Sequence, residues 1–244
     1  MKADYKNWMP KGMILGTGAG ALGSLVLFLV CKFLPKGTNG KVRKVIGTIF
    51  LVIAIILFPV TIWMVLLYRT FSYDGKRQMS KHIIDGIADQ VDIPRGGVGL
   101  DVGCGSGALT IACAKRNPDA KIIGIDRWGK EYASFSKKLC EDNSKAEEVN
   151  NTSFQQGDAT RLPFEDETFD AVTSNYVYHN IPSRDRQEIL LETLRTLKKG
   201  GTFAIHDIMS KAKYGDMQAF VNKLKNMGYS EVSLIDTTNG KFMS

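Results

Sequence analysis

Three segments combine residue types and spacings suited to holding a nucleotide-like ligand. The first is Asp101-Val102-Gly103-Cys104-Gly105-Ser106-Gly107, a glycine-rich run that follows an apolar strand and opens a helix. Its glycines let the backbone turn tightly and approach a ligand without interference from Cβ atoms. At such a turn the backbone amides and the positive end of the helix favour a carboxylate or phosphate. The second is Asp126, 19 residues beyond Gly107 at the end of the apolar run 122–125, where an acid can accept hydrogen bonds from both ribose hydroxyls. The third, Gly157-Asp158-Ala159, ends another strand with an acid. For each acid, a helix N-cap or loop carboxylate is the competing role.

A fourth segment, Asn175-Tyr176-Val177-Tyr178-His179-Asn180-Ile181, offers two aromatics, a histidine and an amide. Aromatic faces can hold a planar molecule or a cationic amine, and a histidine can remove or hold a proton near neutral pH. His179 and Tyr178 are therefore the catalytic candidates. His206, followed by Asp207, is a second candidate base, with a structural role equally open. Packing in a pocket wall stays open for both tyrosines.

These residues need a scaffold that gathers strand ends. From residue 70 onward, short apolar strands alternate with amphipathic helices, which predicts a parallel sheet covered on both faces. Strands are expected at 98–102, 121–125, 152–156, 169–174 and 202–206. Helices are expected near 80–91, 108–116, 130–148, 184–198 and 216–227. A last strand is expected at 231–236, with 241–244 a stub after the Asn239-Gly240 turn. In such a sheet the ligand crevice lies at the carboxyl ends of the strands.

The part before residue 70 differs sharply. It holds nine Lys or Arg and one acid, whereas residues 70–244 hold 23 basic and 24 acidic residues. The excess positive charge flanks two charge-free apolar runs, 13–31 and 45–68. As helices these would extend roughly 28 and 36 Å, against a hydrocarbon core of about 30 Å. Such charge suits anionic lipid headgroups better than DNA or RNA, and no nucleic-acid partner is expected. Gly12, Gly16, Gly20 and Ser24 line one face of the first run, where another helix can approach closely. Pro59 predicts a kink near Ile55 in the second.

Gly18, Gly20 and Gly23 match the dinucleotide fingerprint, but no strand precedes them and the match is accidental. A cleaved signal sequence would have a shorter apolar core than 13–31. Two buried soluble helices would not explain the basic, glycine-containing connector. The two runs are therefore expected to form a hairpin in the lipid bilayer. The cysteines Cys31, Cys104, Cys113 and Cys140 lack metal-ligand spacing and suit a reduced compartment.

The glycine-rich run, Asp126, Asp158-Ala159, the strand at 169–172 and the segment 175–181, in that order, resemble class I S-adenosylmethionine-dependent methyltransferases. The likeness covers about residues 72–210, on the side of the small-molecule branch that includes ubiquinone and menaquinone methyltransferases. It implies an α/β fold, a Rossmann-like mostly parallel sheet with helices on both faces, here preceded by a two-helix transmembrane hairpin at 1–69. The resemblance assigns Asp101, Gly103, Gly105 and Gly107 to the methionine moiety and Asp126 to the ribose. It assigns Asp158 and Ala159 to the adenine, Asn175 to the methionine end, and Tyr73 to a further cofactor contact. It implies S-adenosylmethionine as cofactor, and needs no metal.

The chain departs from that family at its end, where two long antiparallel strands are usual. A small hydrophobic or membrane-partitioned acceptor is expected, with the catalytic domain on the cytoplasmic side because the cofactor is made there. The basic connector fits that orientation awkwardly, and a shallow re-entrant hairpin would remove the conflict. Self-association through the glycine-lined helix or the C-terminal sheet edge is a further expectation. The competing functions are a nicotinamide-dependent oxidoreductase, whose fingerprint spacing Gly103-x-Gly105-x-Gly107 lacks, and a non-catalytic membrane adaptor with a retained cofactor pocket.

Overall fold

The computed structural model describes residues 2–33, 39–129 and 134–238. The chain divides into two compact units, Asn7–Ser80 and a second made of Met1–Lys6 with Lys81–Ser244.

The first unit is a helix pair, α1 (Lys11–Phe33) and α2 (Gly40–Thr70), the latter running through Pro59. Both helices are longer than the apolar runs that predict them. Charged residues at the ends extend the helical backbone without joining the apolar face. The helices meet where side chains are small. Gly20 lies against Leu57, Gly18 against Thr61, and Gly47 against Cys31 and Phe28, while Ala21, Ser24, Ala54 and Met64 are buried. The expected stripe is thus only half used, since a Cβ on Gly12 or Gly16 would meet nothing within 4 Å. Most other large apolar side chains of the pair are exposed, among them Leu15, Leu22, Val45, Ile55 and Trp63.

The second unit is α/β. After α3 (Met79–Ala88), β1 (Val98–Val102), α4 (Ala108–Arg116), β2 (Lys121–Asp126), α5 (Lys137–Ala146) and β3 (Thr152–Gln156) alternate. Then come β4 (Phe169–Asn175), a 3-10 turn (Tyr178–Asn180), α6 (Arg186–Arg195), β5 (Leu197–His206), the single turn α7 (Lys211–Tyr214) and α8 (Met217–Asn226). The strands pair in parallel in the order β3-β2-β1-β4-β5. The sheet is filled outward from β1 in one sense through β2 and β3 and in the other through β4 and β5, so right-handed crossovers put α4 and α5 on one face and α6 on the other.

Side chains alternate across β1. Leu100 and Val102 join a core with Val172, Phe169, Leu190, Leu194 and Phe220, while Asp101 turns to the opposite face and meets Thr110 of α4. The second face closes over Cys104, Cys140 and Phe154, with Trp128 against them.

Three expectations need correction. The helix expected over 130–148 is helical only at Lys137–Ala146 among the described residues, after a Ser136 cap that accepts from the Leu139 amide; residues 130–133 lie outside the description. β5 begins at Leu197 rather than 202, because Phe169 pairs with Leu197 before a register shift and the ladder resumes at Ala171 and Thr202. Residues 231–236 form no strand. Val232 packs on the core and the Thr237 hydroxyl meets His206 Nε2 at 3.0 Å, so this segment is held by side chains and not by a ladder. The stub 241–244 lies outside the described residues.

Candidate active site

The carboxyl ends of β1, β2, β4 and β5 bring the candidate residues to one edge. The turn after β1 needs its glycines for three different reasons. Gly103, at φ +75°, would place a Cβ 2.2 Å from Val177 Cγ2, so its missing side chain seats the β4 exit loop directly on the turn. Gly107, at φ +83°, would place one 3.2 Å from Cys140 and Phe154. Gly105, at φ +56°, has room for a Cβ, and only its backbone conformation requires glycine.

Most amides of this turn are engaged within the protein. Gly103 and Cys104 donate to the Ile125 carbonyl, Gly107 donates to that of Cys104, and Gly105 donates to Asp126 Oδ2 at 2.9 Å. The first turn of α4 adds its amides to this end, with that of Thr110 taken up by the buried Asp101 carboxyl.

Asp126 ends β2 where expected, and it does more than face a ligand. Its Oδ1 accepts from the Trp128 amide at 2.7 Å, while the Trp128 indole Nε1 donates to the Gly105 carbonyl at 3.0 Å. The carboxylate and the indole together fix the turn. Each Asp126 oxygen keeps a second lone pair, which is what two ribose hydroxyls require. Asp126→Ala should weaken binding of S-adenosylhomocysteine, the demethylated form of the expected cofactor, by about 1 to 3 kcal/mol. It should also lower the melting temperature, because the Gly105 and Trp128 amides lose their acceptor. A variant with wild-type affinity and a lowered melting temperature would leave Asp126 with the structural role alone.

Asp101 lies beneath the turn, 1% exposed, with Oδ2 accepting from Thr110 Oγ1 at 2.6 Å and Oδ1 from Thr173 Oγ1 at 3.3 Å. Burial lifts its carboxyl to about 7 against these lowering bonds. From about pH 4, where an unfolded aspartate ionises, up to that value, the folded chain holds a proton that the unfolded chain releases. Stability should therefore fall as pH rises through this window. Asp101→Asn, which keeps the neutral shape, should flatten that part of the melting curve against pH. Parallel curves for the two proteins would show that Asp101 is charged when folded.

The β4 and β5 ends hold the densest cluster. Register pairs Asn175 with His206, and the side chains meet, with His206 Nδ1 3.1 Å from Asn175 Oδ1. Burial lowers the pKa of His206, and both its ring nitrogens are engaged, which makes it a support for Asn175 rather than a base. Tyr176, at φ +56°, stands edge-on to the rings of both His206 and His179.

His179 Nδ1 is bonded to Asp207 Oδ1, and the His179 amide donates to Asp207 Oδ2 at 3.1 Å. Tyr214 donates its hydroxyl to the same Oδ2 at 2.8 Å. Burial pushes the Asp207 carboxyl up, but the bonds and charge from His179, with those from Tyr214 and the Ile208 amide, outweigh it and hold the acid below the usual range. A charged carboxylate at Nδ1 makes that nitrogen the donor and leaves Nε2 as the basic one. Arg186 braces the loop by donating to the carbonyls of Tyr178, Ile181, Ser183 and Lys213.

Tyr178 requires a correction. It is 1% exposed and its hydroxyl pairs with Thr193 of α6 at 2.9 Å, so it packs the core while its neighbour His179 faces the site. Burial raises its pKa further from any working range. Asp158 spends Oδ1 on the amide and hydroxyl of Thr160, which lower its pKa, and Ala159 packs on the core edge. Tyr73 belongs to the helical unit. Sequence reasoning passed over Trp128, Val177 and Tyr214, and noticed Asp207 only as the neighbour of His206. An aromatic two residues after Asp126 was the one available signal.

Residues 100–205 match the family model described as a methyltransferase domain. The demethylmenaquinone methyltransferase of Lactobacillus johnsonii is 36% identical over 117 residues, covering 48% of this chain and 46% of that protein. The protein of the same name from Geobacillus stearothermophilus is 30% identical over 132 residues, covering 54% and 53%. The chain spans about half the length of the curated relatives it matches. A crystal structure of a SAM dependent methyltransferase from Aquifex aeolicus gives a TM-score of 0.49 at 17% identity, covering 67% of this chain and 88% of that one, too slight a likeness to bear on function. Sheet order, glycine turn and family match point to one class: residues 100–205 are similar to class I S-adenosylmethionine-dependent methyltransferase domains. The cofactor of that class is S-adenosylmethionine, and the free lone pairs of Asp126 beside a close-packed glycine turn fit it.

Proposed function

We propose that this chain transfers a methyl group from S-adenosylmethionine to a small hydrophobic acceptor that partitions into membranes, and that the helix pair within residues 1–69 anchors a methyltransferase domain built mainly from 70–244. The observation that carries the activity is the His179 and Asp207 pair, set beside the glycine turn by the contact of Val177 on Gly103. The names of the demethylmenaquinone relatives favour an acceptor of quinone type, methylated at a position that must lose a proton. The match to a methyltransferase model leaves the oxidoreductase alternative without support.

S-adenosylmethionine supplies an electrophilic methyl carbon on a sulfonium when bound. The chain's part is to orient and to move a proton. Asp126 and the α4 amides hold the donor end, with Asn175 fixed by His206 at the methyl end. Tyr176 offers an aromatic wall to a planar acceptor. The donor held there would give its methyl group to an acceptor carbon or oxygen, the electron pair of the broken bond remaining on sulfur. The acceptor's proton passes to His179 Nε2, and the imidazolium so formed is stabilised by the Asp207 carboxylate. Positioning accounts for much of the remaining acceleration.

Two features support the anchor. Both helices of the pair are long and apolar enough to cross a membrane, and only 6% and 11% of their most apolar windows are buried. Residues 2–6 and 81–244 fold as one unit, and two crossings would leave the segments before α1 and after α2 on the same side of a bilayer, in keeping with an anchor that is retained. The cytosolic origin of the cofactor favours the cytoplasmic side. Full-length protein incubated with methyl-labelled donor and separate lipid, small-molecule and protein extracts should label the lipid-soluble fraction. Label confined to protein would overturn the acceptor assignment, and micromolar binding of NADH without binding of S-adenosylhomocysteine would overturn the activity.

A further inference from the structure

We propose that residues 2–6 are a working part of the cofactor site, a strap that acts through Ser106 and Asn143 to hold the glycine turn in its binding shape. This rests on the donor site proposed above and adds a segment nearly a hundred residues away from it in sequence.

The strap is anchored at both of its central residues. Ser106, inside the glycine turn and 4% exposed, donates its hydroxyl to the Tyr5 carbonyl at 2.9 Å. Asn143 of α5 grips Asp4 twice, accepting from its amide at 2.7 Å and donating to its carbonyl at 3.0 Å. The same Asn143 amide group donates to the Ser106 carbonyl at 2.9 Å. One buried side chain thus ties α5, the strap and the turn together. Tyr5 is itself buried at 7% exposure. The hook is preformed locally, since the Asp4 carboxylate accepts from the Lys6 amide at 3.1 Å and Lys6 takes φ +54°.

The consequence follows from what would be left without the strap. Asn143 would keep one of its three bonds, and the Ser106 hydroxyl would lose its acceptor in a closely packed place. Ser106 is flanked by Gly105 and Gly107, both at positive φ, and without the strap its side of the turn would keep one Asn143 bond beside those that Asp126 and Trp128 make to Gly105. A turn free to relax would lose the alignment of the Gly105 amide with Asp126 and of the first turn of α4 with the donor. The strap is therefore a positioning element, felt in donor affinity before it is felt in chemistry.

The test uses full-length protein in detergent, with S-adenosylhomocysteine as the calorimetric probe. Tyr5→Ala and Asn143→Ala should each raise its Kd by about tenfold, and the loss in steady-state turnover should fall on KM for the donor more than on kcat. The double variant should bind little worse than the weaker single variant, because both changes release one strap. Ser106→Ala removes a single buried bond and gives a milder change in the same direction should the others fold poorly. Unchanged Kd and KM with a lowered melting temperature would overturn the inference and leave residues 2–6 as packing alone. Additive effects of the two substitutions would also overturn it. Wild-type protein that takes up no S-adenosylhomocysteine would instead defeat the donor site itself, and the strap's role with it.

Discussion

His179→Ala is expected to lower turnover by roughly 100-fold or more, at the low end of what a general base contributes, with little change in affinity for S-adenosylhomocysteine. The ring stands 13% exposed with Nδ1 committed to a buried carboxylate, so removing it takes away the Nε2 proposed to accept the acceptor's proton and leaves the donor end intact. Asp207→Asn should reproduce much of this loss, since an amide cannot stabilise the imidazolium and can present its NH2 to Nδ1, favouring the wrong tautomer. Tyr214→Phe, which leaves the carboxylate in place, should cost far less. Turnover of His179→Ala and wild type compared from pH 6 to 9 decides the matter. Full activity in the variant would reduce His179 to a wall residue and favour an acceptor, such as a thiolate, that needs no protein base.

Gly103→Ala is expected to be severely damaging for a change of one methyl group. An L-residue at φ +75° costs about 1 to 2 kcal/mol, and a Cβ 2.2 Å from Val177 adds an overpacking term of about 1 to 3 kcal/mol. The sum should lower the melting temperature by roughly 5 to 15 °C. It should also abolish measurable cofactor binding, because relief of the clash moves the 176–181 loop off the turn. Val177→Ala in the same chain should recover the steric part and not the backbone part. A Gly103→Ala protein that melts and binds like wild type would show that loop and turn are not in contact in solution.

Much of the scaffold is legible in local pattern because the forces that form it are local. Most of the strands come from short apolar runs, β3 with its single Phe154 being the exception, the helix pair from long runs without charge, and the turn from three glycines that no other residue could replace at once. Boundaries moved where a partner decided them. β5 gained its first residues by pairing Leu197 with Phe169, and residues 231–236 remained unpaired despite their strand-like composition.

The working parts of the site are a different matter. Sequence by itself determined that Asp126, Asn175 and His179 would stand at the carboxyl edge of a parallel sheet, because strand ends and their direction follow from the alternation of elements. It gave no means of separating Tyr178 from His179, whose neighbouring side chains leave a 3-10 turn in different directions, one into the core and one towards Asp207. Only tertiary structure set Asp207 against His179 across 28 positions, through the register that aligns Asn175 with His206. The seating of Val177 on Gly103 and the grip of Asn143 on Asp4 across 139 positions were decided in the same way. The physical reason is common to all three. Periodicity and propensity report how a segment meets solvent and its own backbone, whereas a buried long-range contact depends on which distant segments the packed sheet brings together, and no local pattern carries that choice.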